Sequence, residues 1–300
     1  MKTILLTGAS GFLGKQYHEH YIQKGWKVLT IGRHDDDDVF WDATLKRDLL
    51  ASDFHLPIHR IVHCAAVNET QIIDNLNTTY DVNVTLTRAL CQLALTLNVP
   101  EFIYVSTFHV YGVSEGEIEP ALKCNPLNDY GLTHYLSEEI IRNIFRNNSI
   151  AALCVRPTNI YGIPASFHKF DRWSLVPFAF IRSGIDKQHI RLNTPGSQYR
   201  NFVDVRDVLE AEPSNEGFEA RDIYGDDTLT VKEFARLVIS ILKEEHDLNV
   251  VLEFPQENEG VLRKNTRLVF KQDKDLKEPK RTISTFVKNF SELYRCVKNV

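Results

Sequence analysis

Lys2-Thr3-Ile4-Leu5-Leu6-Thr7 runs without a break into Gly8-Ala9-Ser10-Gly11-Phe12-Leu13-Gly14. The residues from Thr3 to Leu6 are all apolar or β-branched, the composition of a strand buried on both faces of a parallel sheet. The three glycines that follow have separate tasks at a strand-to-helix turn. Gly8 takes the tight turn, Gly11 lets the backbone come close to a pyrophosphate, and Gly14 lets the helix pack near the sheet. The helix start then offers free N–H groups and a partial positive charge to phosphates. A strand, a glycine turn and a helix in this order point to a dinucleotide site.

The spacing is G-x-x-G-x-x-G after a Thr, not G-x-G-x-x-G. In that form the stretch resembles the extended, nucleotide-sugar branch of the short-chain dehydrogenase/reductase superfamily, the NAD-dependent epimerase/dehydratase family. The resemblance implies that Gly8, Ser10, Gly11, Phe12, Leu13 and Gly14 line the cofactor.

Outward from the turn, Lys15 to Lys24 reads as a helix stopped by Gly25, and Lys27 to Ile31 as a second strand. An acidic residue at the end of that strand would bond the adenosine ribose of NAD. Gly32-Arg33 stands there instead, and an Arg can stack on adenine and pair with a 2′-phosphate, so NADP is favoured over NAD. Arg33 is otherwise a surface charge offsetting Asp35 to Asp38, which read as a solvated loop. A short third strand follows at Phe40-Trp41-Asp42, and the resemblance puts Asp42 and Ala43 at the adenine edge.

Arg60 to Ala66 reads as a fourth strand with the ending His63-Cys64-Ala65-Ala66. This resembles the family's His-x-Ala-Ala ending, which implies that small residues let the cofactor lie close, with Ala65 and Ala66 as cofactor positions; His63 reads as structural. Asn83 matches an Asn that in the family bonds backbone near the active site, and it is placed with the cofactor set. Leu86, Leu90, Leu93 and Leu97 recur at helical spacing and belong to the core. A fifth strand, Phe102 to Val105, runs into Ser106-Thr107, at the strand end where open α/β sheets hold ligands. By the family register Ser106 lies beside the cofactor and Thr107 is the substrate-binding hydroxyl.

Pro126, Tyr130, Gly131 and Glu138 match the family pattern P-x-x-x-Y-G-x-S-K-x-x-x-E, but His134 stands where the family has Lys. Positions 130 and 134 are one helical turn apart and share a face. In the family the Lys ammonium lowers the pKa of the Tyr phenol and bonds the nicotinamide ribose. A His is shorter and mostly neutral at pH 7, so it can hold the ribose yet helps the phenol less. The expected catalytic set is therefore Thr107, Tyr130 and His134, with Tyr130 and His134 also touching cofactor.

Arg156-Pro157-Thr158-Asn159-Ile160-Tyr161-Gly162 closes a sixth strand and resembles R-P-x-N-x-Y-G, which implies Pro157 by the nicotinamide and Asn159 on the substrate's nucleotide diphosphate. Thr194 to Val208 resembles a segment whose Arg, here Arg200, clamps that diphosphate; Asn201 replaces the family's Asp. Arg206 and Asp207 read as an ion pair or a helix-start contact. Thr230 and Glu233 form a capping box, and Ile283, Phe286, Val287 and Phe290 mark a closing amphipathic helix.

The net charge of -5 and the absence of a basic stripe exclude nucleic acid as an expected partner. No stretch approaches a membrane span, and Met1-Lys2 leads directly into a strand, so the expectation is a soluble, cytoplasmic chain with no membrane partner. Five widely spaced cysteines without C-x-x-C, and eleven histidines without H-E-x-x-H, suggest reduced thiols and no metal. His18 and His20 read as a solvated helix face.

The expected fold class is α/β: a Rossmann-type doubly wound parallel sheet with a smaller α+β C-terminal substrate-binding lobe. Residues 1–162 and 192–214 form the first domain, and residues 163–191 and 215–300 the second. The expected function is NAD(P)-dependent modification of a nucleotide-diphosphate sugar by a 4-keto reductase or a 4-epimerase, in a homodimer as the resemblance implies. The other class open to the sequence is a weakened or inactive dinucleotide-binding sensor or scaffold, because of His134.

Overall fold

The computed structural model describes residues 1–42, 49–72, 75–113, 115–119, 122–168, 170–214, 217–255, 266–271 and 281–298. Ala43 lies outside them. In chain order the strands are β1 (Thr3–Thr7), β2 (Lys27–Gly32), β3 (Val39–Phe40), β4 (Arg60–His63), β5 (Glu101–Val105), β6 (Glu117–Ile118) and β7 (Ala151–Pro157). They continue with β8 (Asn159–Tyr161), β9 (His189–Arg191), β10 (Tyr199–Asp204), β11 (Gly217–Ile223), β12 (Asp227–Thr230), β13 (Val251–Glu253) and β14 (Val269–Phe270). The helices are α1 (Phe12–Gln23), α2 (Leu76–Tyr80), α3 (Leu86–Thr96), α4 (Asp129–Phe145), α5 (Val176–Lys187), α6 (Val205–Leu209), α7 (Val231–His246) and α8 (Ile283–Lys298).

Seven strands make one parallel sheet in the order β11-β7-β5-β4-β1-β2-β3. The chain leaves β1 in one direction toward β3 and returns on the other side through β4, so the order reverses between β1 and β4. That reversal opens a crevice beyond the strand ends, where such sheets bind ligands. The continuous apolar runs anticipated for a sheet covered on both faces are present: β1, β4 and nearly all of β5 and β7 are buried along their length. Leu5, Ile61, Phe102, Phe145 and Cys154 share one core cluster with Leu86, Leu90 and Leu93 of α3.

The glycine turn behaves as its spacing requires. Gly8 has φ +71, and a Cβ there would press on the backbone of Cys64 and Ala65. A Cβ on Gly14 would strike the Gly8 carbonyl. Gly11 meets nothing of the protein closer than 3.4 Å, and as the first residue before α1 it makes no side-chain cap. Two glycines therefore serve the fold, and the third would tolerate a Cβ at ordinary contact distance.

The chain divides into two compact units, residues 1–112, 123–157 and 208–223 in the first, and 113–122, 158–207 and 224–300 in the second. This corrects the sequence boundaries. The segment that returns to the large sheet is Val208–Ile223, not 192–214, because β11 pairs in parallel with β7, whereas β10 pairs with β8 and β12. The edge strand β11 carries Glu219, Arg221 and Asp222 and is half-buried throughout, so its composition did not mark it as a strand.

In the second unit β12-β10-β8 form a small sheet, and Trp173, Phe178, Phe286 and Phe290 join α5 and α8 through contacting rings. The capping box is present, with Thr230 Oγ1 accepting from the Glu233 N–H and Glu233 Oε2 accepting from the Thr230 N–H. Arg206 pairs with Asp204, not Asp207, which instead accepts from Arg281 at 2.6 Å.

Asn201 explains its own departure from the family's Asp. It is buried; its Oδ1 accepts from Thr158 Oγ1 at 2.8 Å and the Gly225 N–H at 3.1 Å, while its Nδ2 donates to the Gly225 carbonyl at 2.7 Å and Thr228 Oγ1 at 3.0 Å. Two donors and an acceptor on one side chain require an amide. Asn201→Asp is expected to lower unfolding stability by about 2–3 kcal/mol in urea titration, because a carboxylate would face the Gly225 carbonyl with nothing to donate.

Candidate functional site

Thr107 follows β5 and caps the tight turn Phe108–Tyr111, its Oγ1 accepting from the His109 N–H at 3.2 Å. The hydroxyl's own proton is not used in that bond. Asn128 caps α4 by accepting the Gly131 N–H at 2.9 Å, so Tyr130 enters in the helix's first turn. A Cβ on Gly131 would crowd the His109 carbonyl, which is how the turn and the helix start approach so closely. The Tyr130 ring is held edge-on between two histidines, 5.6 Å from His109 and 4.7 Å from His134, measured between ring centroids. His109 was missed in the sequence, where it sits within an apolar run and matches no motif position.

His134 is 2% exposed, and its Nδ1 lies 2.7 Å from the Tyr104 hydroxyl. Burial, with the nearby His109, pushes its pKa down to about 3, so the ring is neutral at any pH near 7. Its Nε2 is buried without a hydrogen-bond partner among the described residues.

Beneath these groups runs a fully bonded polar spine. The Ala65 N–H donates to Thr7 Oγ1 at 3.2 Å, Thr7 Oγ1 lies 2.7 Å from His63 Nδ1, and His63 Nε2 lies 2.9 Å from Thr87 Oγ1, which donates to the Asn83 carbonyl at 2.7 Å. His63 is therefore structural, as expected, and burial pushes its pKa down to about 3. Asn83 sits in a π turn, Asp81–Thr85, and is fully buried; its amide accepts from the Val67 N–H at 2.7 Å and donates to Thr133 Oγ1 at 3.0 Å. These bonds tie β1, β4, α3 and α4 together behind the site.

Ser106 and Glu138 face inward too. Ser106 Oγ donates to Glu138 Oε1 at 2.5 Å, and the same carboxylate takes Arg156 Nε at 3.0 Å and Nη2 at 2.5 Å. Arg156 Nη1 reaches the Tyr111 hydroxyl at 2.8 Å, which in turn donates to Asp222. Ser106 is thus bound to the protein's own ion pair, a role the register did not reveal. Pro157 is buried at the end of β7, and Ala65, Ala66, Ser10, Phe12 and Leu13 lie around the crevice ends of β1 and β4.

Arg33 is exposed, and the acidic run is not simply solvated. Asp38 Oδ2 accepts from the Thr30 N–H at 2.9 Å, Asp37 Oδ2 accepts from the His34 N–H at 3.0 Å, and the Asp37 carboxylate occupies the place of a side chain on Gly32. Asp42 follows β3 and is half-buried. In the second unit, Asn159 donates to the Asn201 carbonyl at 2.9 Å, and Arg200 is half-buried on β10 with Nη1 on the Tyr199 carbonyl at 3.2 Å. His18 and His20 are half-buried, not solvated; burial lowers the His20 pKa.

A parallel sheet with a glycine turn at its reversal point, and a Thr, Tyr and His gathered at the strand ends, define a dinucleotide-binding α/β enzyme class. The model of the NAD dependent epimerase/dehydratase family matches residues 4–212, and the chain belongs to that family. It is 30% identical over 177 residues to UDP-glucose 4-epimerase of Vibrio cholerae, a match that spans 54% of this chain and 52% of that protein, about half of each. Its fold is similar to UDP-glucose 4-epimerase of Thermotoga maritima with UDP-glucose, at a TM-score of 0.78 and 19% identity over 98% of this chain and 99% of that one. It is equally similar to UDP-glucuronic acid 4-epimerase of Bacillus cereus with UDP-glucuronic acid and NAD, with a TM-score of 0.78 and 18% identity, covering 98% and 99%. No helix among the described residues is long and apolar enough to cross a membrane.

The two buried imidazoles make stability depend on pH. Their native pKa values of about 3 lie below the ordinary 6.5, so between these values the unfolded chain binds protons that the native rings refuse. The stability is full above about pH 6.5 and falls as pH drops, by up to about 1.4 kcal/mol per pH unit for each ring. Urea unfolding at steps from pH 7.5 to pH 5 is expected to show this loss, and His63→Gln is expected to flatten it even though the variant starts less stable.

Proposed function

We propose that the chain reduces the 4-keto group of a nucleotide-diphosphate sugar with a nicotinamide cofactor. The observation that carries this reading is the neutral, buried His134 in the family's Lys position. Oxidation needs a Tyr130 phenolate, which a neighbouring cation would favour; reduction needs only a phenol proton, which a neutral phenol carries without such a cation. Bound cofactor would supply the hydride. Tyr130 gives its proton to the oxygen that becomes the product hydroxyl, and Thr107 polarises that oxygen with its O–H. Asn159 and Arg200 hold the nucleotide diphosphate, Arg200 through the fork of donors that suits phosphate.

The glycine turn fits a dinucleotide. Gly11, at the N-cap of α1, would bring a Cβ no closer than 3.4 Å to the protein, which leaves room for a pyrophosphate beside the helix start. Arg33 favoured NADP over NAD. The Asp37 carboxylate against Gly32 favours NAD(H), since it repels a 2′-phosphate and accepts from ribose hydroxyls. A fluorescence titration is expected to show tighter binding of NADH than of NADPH, and Asp37→Asn is expected to narrow the difference by about tenfold. NADPH binding more tightly in the unmodified protein would restore Arg33 as the selecting residue.

A 4-epimerase is the second reading, favoured by the Vibrio cholerae relative. An epimerase tends to keep its cofactor through turnover, whereas a reductase must exchange it. Oxidation of NADH in the presence of 4-keto nucleotide sugars is the decisive assay. Tyr130→Phe is expected to lower kcat by about a hundredfold to ten-thousandfold while cofactor still binds. Tight cofactor binding with no turnover of any nucleotide sugar would instead support a dinucleotide-binding sensor or scaffold.

A further inference from the structure

Tyr104 lies in the middle of the sequence pattern of a core strand, and nothing in that pattern sets it apart from Phe102 and Val105. In the fold it is 1% exposed on β5, with its hydroxyl 2.7 Å from His134 Nδ1 and its ring 5.2 Å from that of His63. A Phe would fill the same volume. The hydroxyl is therefore the part that needs a reason.

We propose that Tyr104 is a positioning residue: its O–H donates to His134 Nδ1, fixes the imidazole as the Nε2–H tautomer, and so presents a neutral donor to the nicotinamide-ribose hydroxyls. The inference deepens the cofactor reading above and depends on it for the identity of the acceptor.

A buried hydroxyl proton must be given to an acceptor. Two groups lie within reach of the Tyr104 hydroxyl, Ser137, which gives its own proton to the Asn83 carbonyl at 2.6 Å, and His134 Nδ1 at 2.7 Å, and the proposal assigns the Tyr104 proton to Nδ1. Burial keeps Tyr104 protonated, its pKa well above the usual phenol range, and keeps His134 uncharged, so the pair holds one proton between oxygen and Nδ1 and one on Nε2. The groups facing the His134 ring are His63 from β4, His109 from the turn after β5 and Tyr130 from α4 itself, and Glu138 acts on Tyr104. Glu138 is paired to Arg156. On the far side of the ring from Tyr104, Nε2 is buried with no hydrogen-bond partner among the described residues. A donor held rigidly from behind and unsatisfied in front is placed for a ligand oxygen. Lys would reach such an oxygen with a flexible stem; His is shorter, and the tyrosine behind it fixes its direction.

The test uses the full chain labelled with 15N-histidine. Long-range proton–nitrogen correlation, with the His134 signals assigned by their loss in His134→Gln, is expected to show Nδ1 without a proton and Nε2 with one. In Tyr104→Phe the ring is expected to exchange between tautomers, and the Kd for NADH to rise about tenfold with a smaller change in kcat at saturating cofactor. Adding His134→Lys to Tyr104→Phe is expected to recover binding, because an ammonium has no tautomer to fix. A proton on Nδ1 in the unmodified protein overturns the proposal, whether or not Tyr104→Phe folds. An unchanged NADH Kd in a Tyr104→Phe variant with native circular dichroism overturns it equally. If the unmodified protein binds no nicotinamide nucleotide, the cofactor reading fails and the ribose donor with it, while the tautomer still tells whether Tyr104 directs the ring.

Discussion

The Glu138–Arg156 pair is the constraint around which the strand ends are assembled. Both side chains are buried, and the guanidinium fork meets the carboxylate with two nitrogens while a third reaches Tyr111. Ser106 from the end of β5 and Asp222 from β11 complete the group. Burying two charges is costly, and such a pair adds little net stability over a well-packed apolar one. What it supplies is direction: α4, β5, β7, β11 and the turn after β5 meet at one point, and the first turn of α4 carries Tyr130. Removing either partner would strand a charge inside the sheet.

A second polar system, from Ala65 through Thr7, His63 and Thr87 to Asn83, does the same work on the other side of α4. Thr7, His63 and Thr87 each bond on two sides, between the Ala65 N–H that donates at one end and the Asn83 carbonyl that accepts at the other. Tyr104 meets His134 Nδ1 at 2.7 Å, and the ring's Nε2 has no hydrogen-bond partner among the described residues. The site is thus framed by buried polar bonds whose geometry admits few alternatives, with one unsatisfied atom at its centre.

The departures from the family pattern turn out to have local physical reasons. Asn201 serves donors and acceptors that a carboxylate cannot serve together. His134 comes with Tyr104 behind it. The first of these was visible in the sequence only as a mismatch. The second was visible as half of a pair, because the partner is thirty residues away on a strand and looks like any other aromatic core residue. Likewise β11 was hidden by its charged residues, and the role of Ser106 by the absence of any local signal for a partner on α4. The placement of Asp37 against Gly32 depends on how the chain turns between β2 and β3, which residue order alone does not fix.

The sequence by itself determined the sheet, the glycine turn and the order of the motif segments. Each of these depends on short-range properties: apolar runs of strand length, a backbone position that only Gly occupies without strain, and helical spacing of leucines. Tertiary structure decided which of the matched residues bond to one another. Hydrogen bonds and ion pairs between distant segments are satisfied only when the elements pack, so the bonds of Ser106 to Glu138 and of Asn83 to Val67 and Thr133, the burial of His134 and its contact with Tyr104 could come from no stretch of the chain read alone.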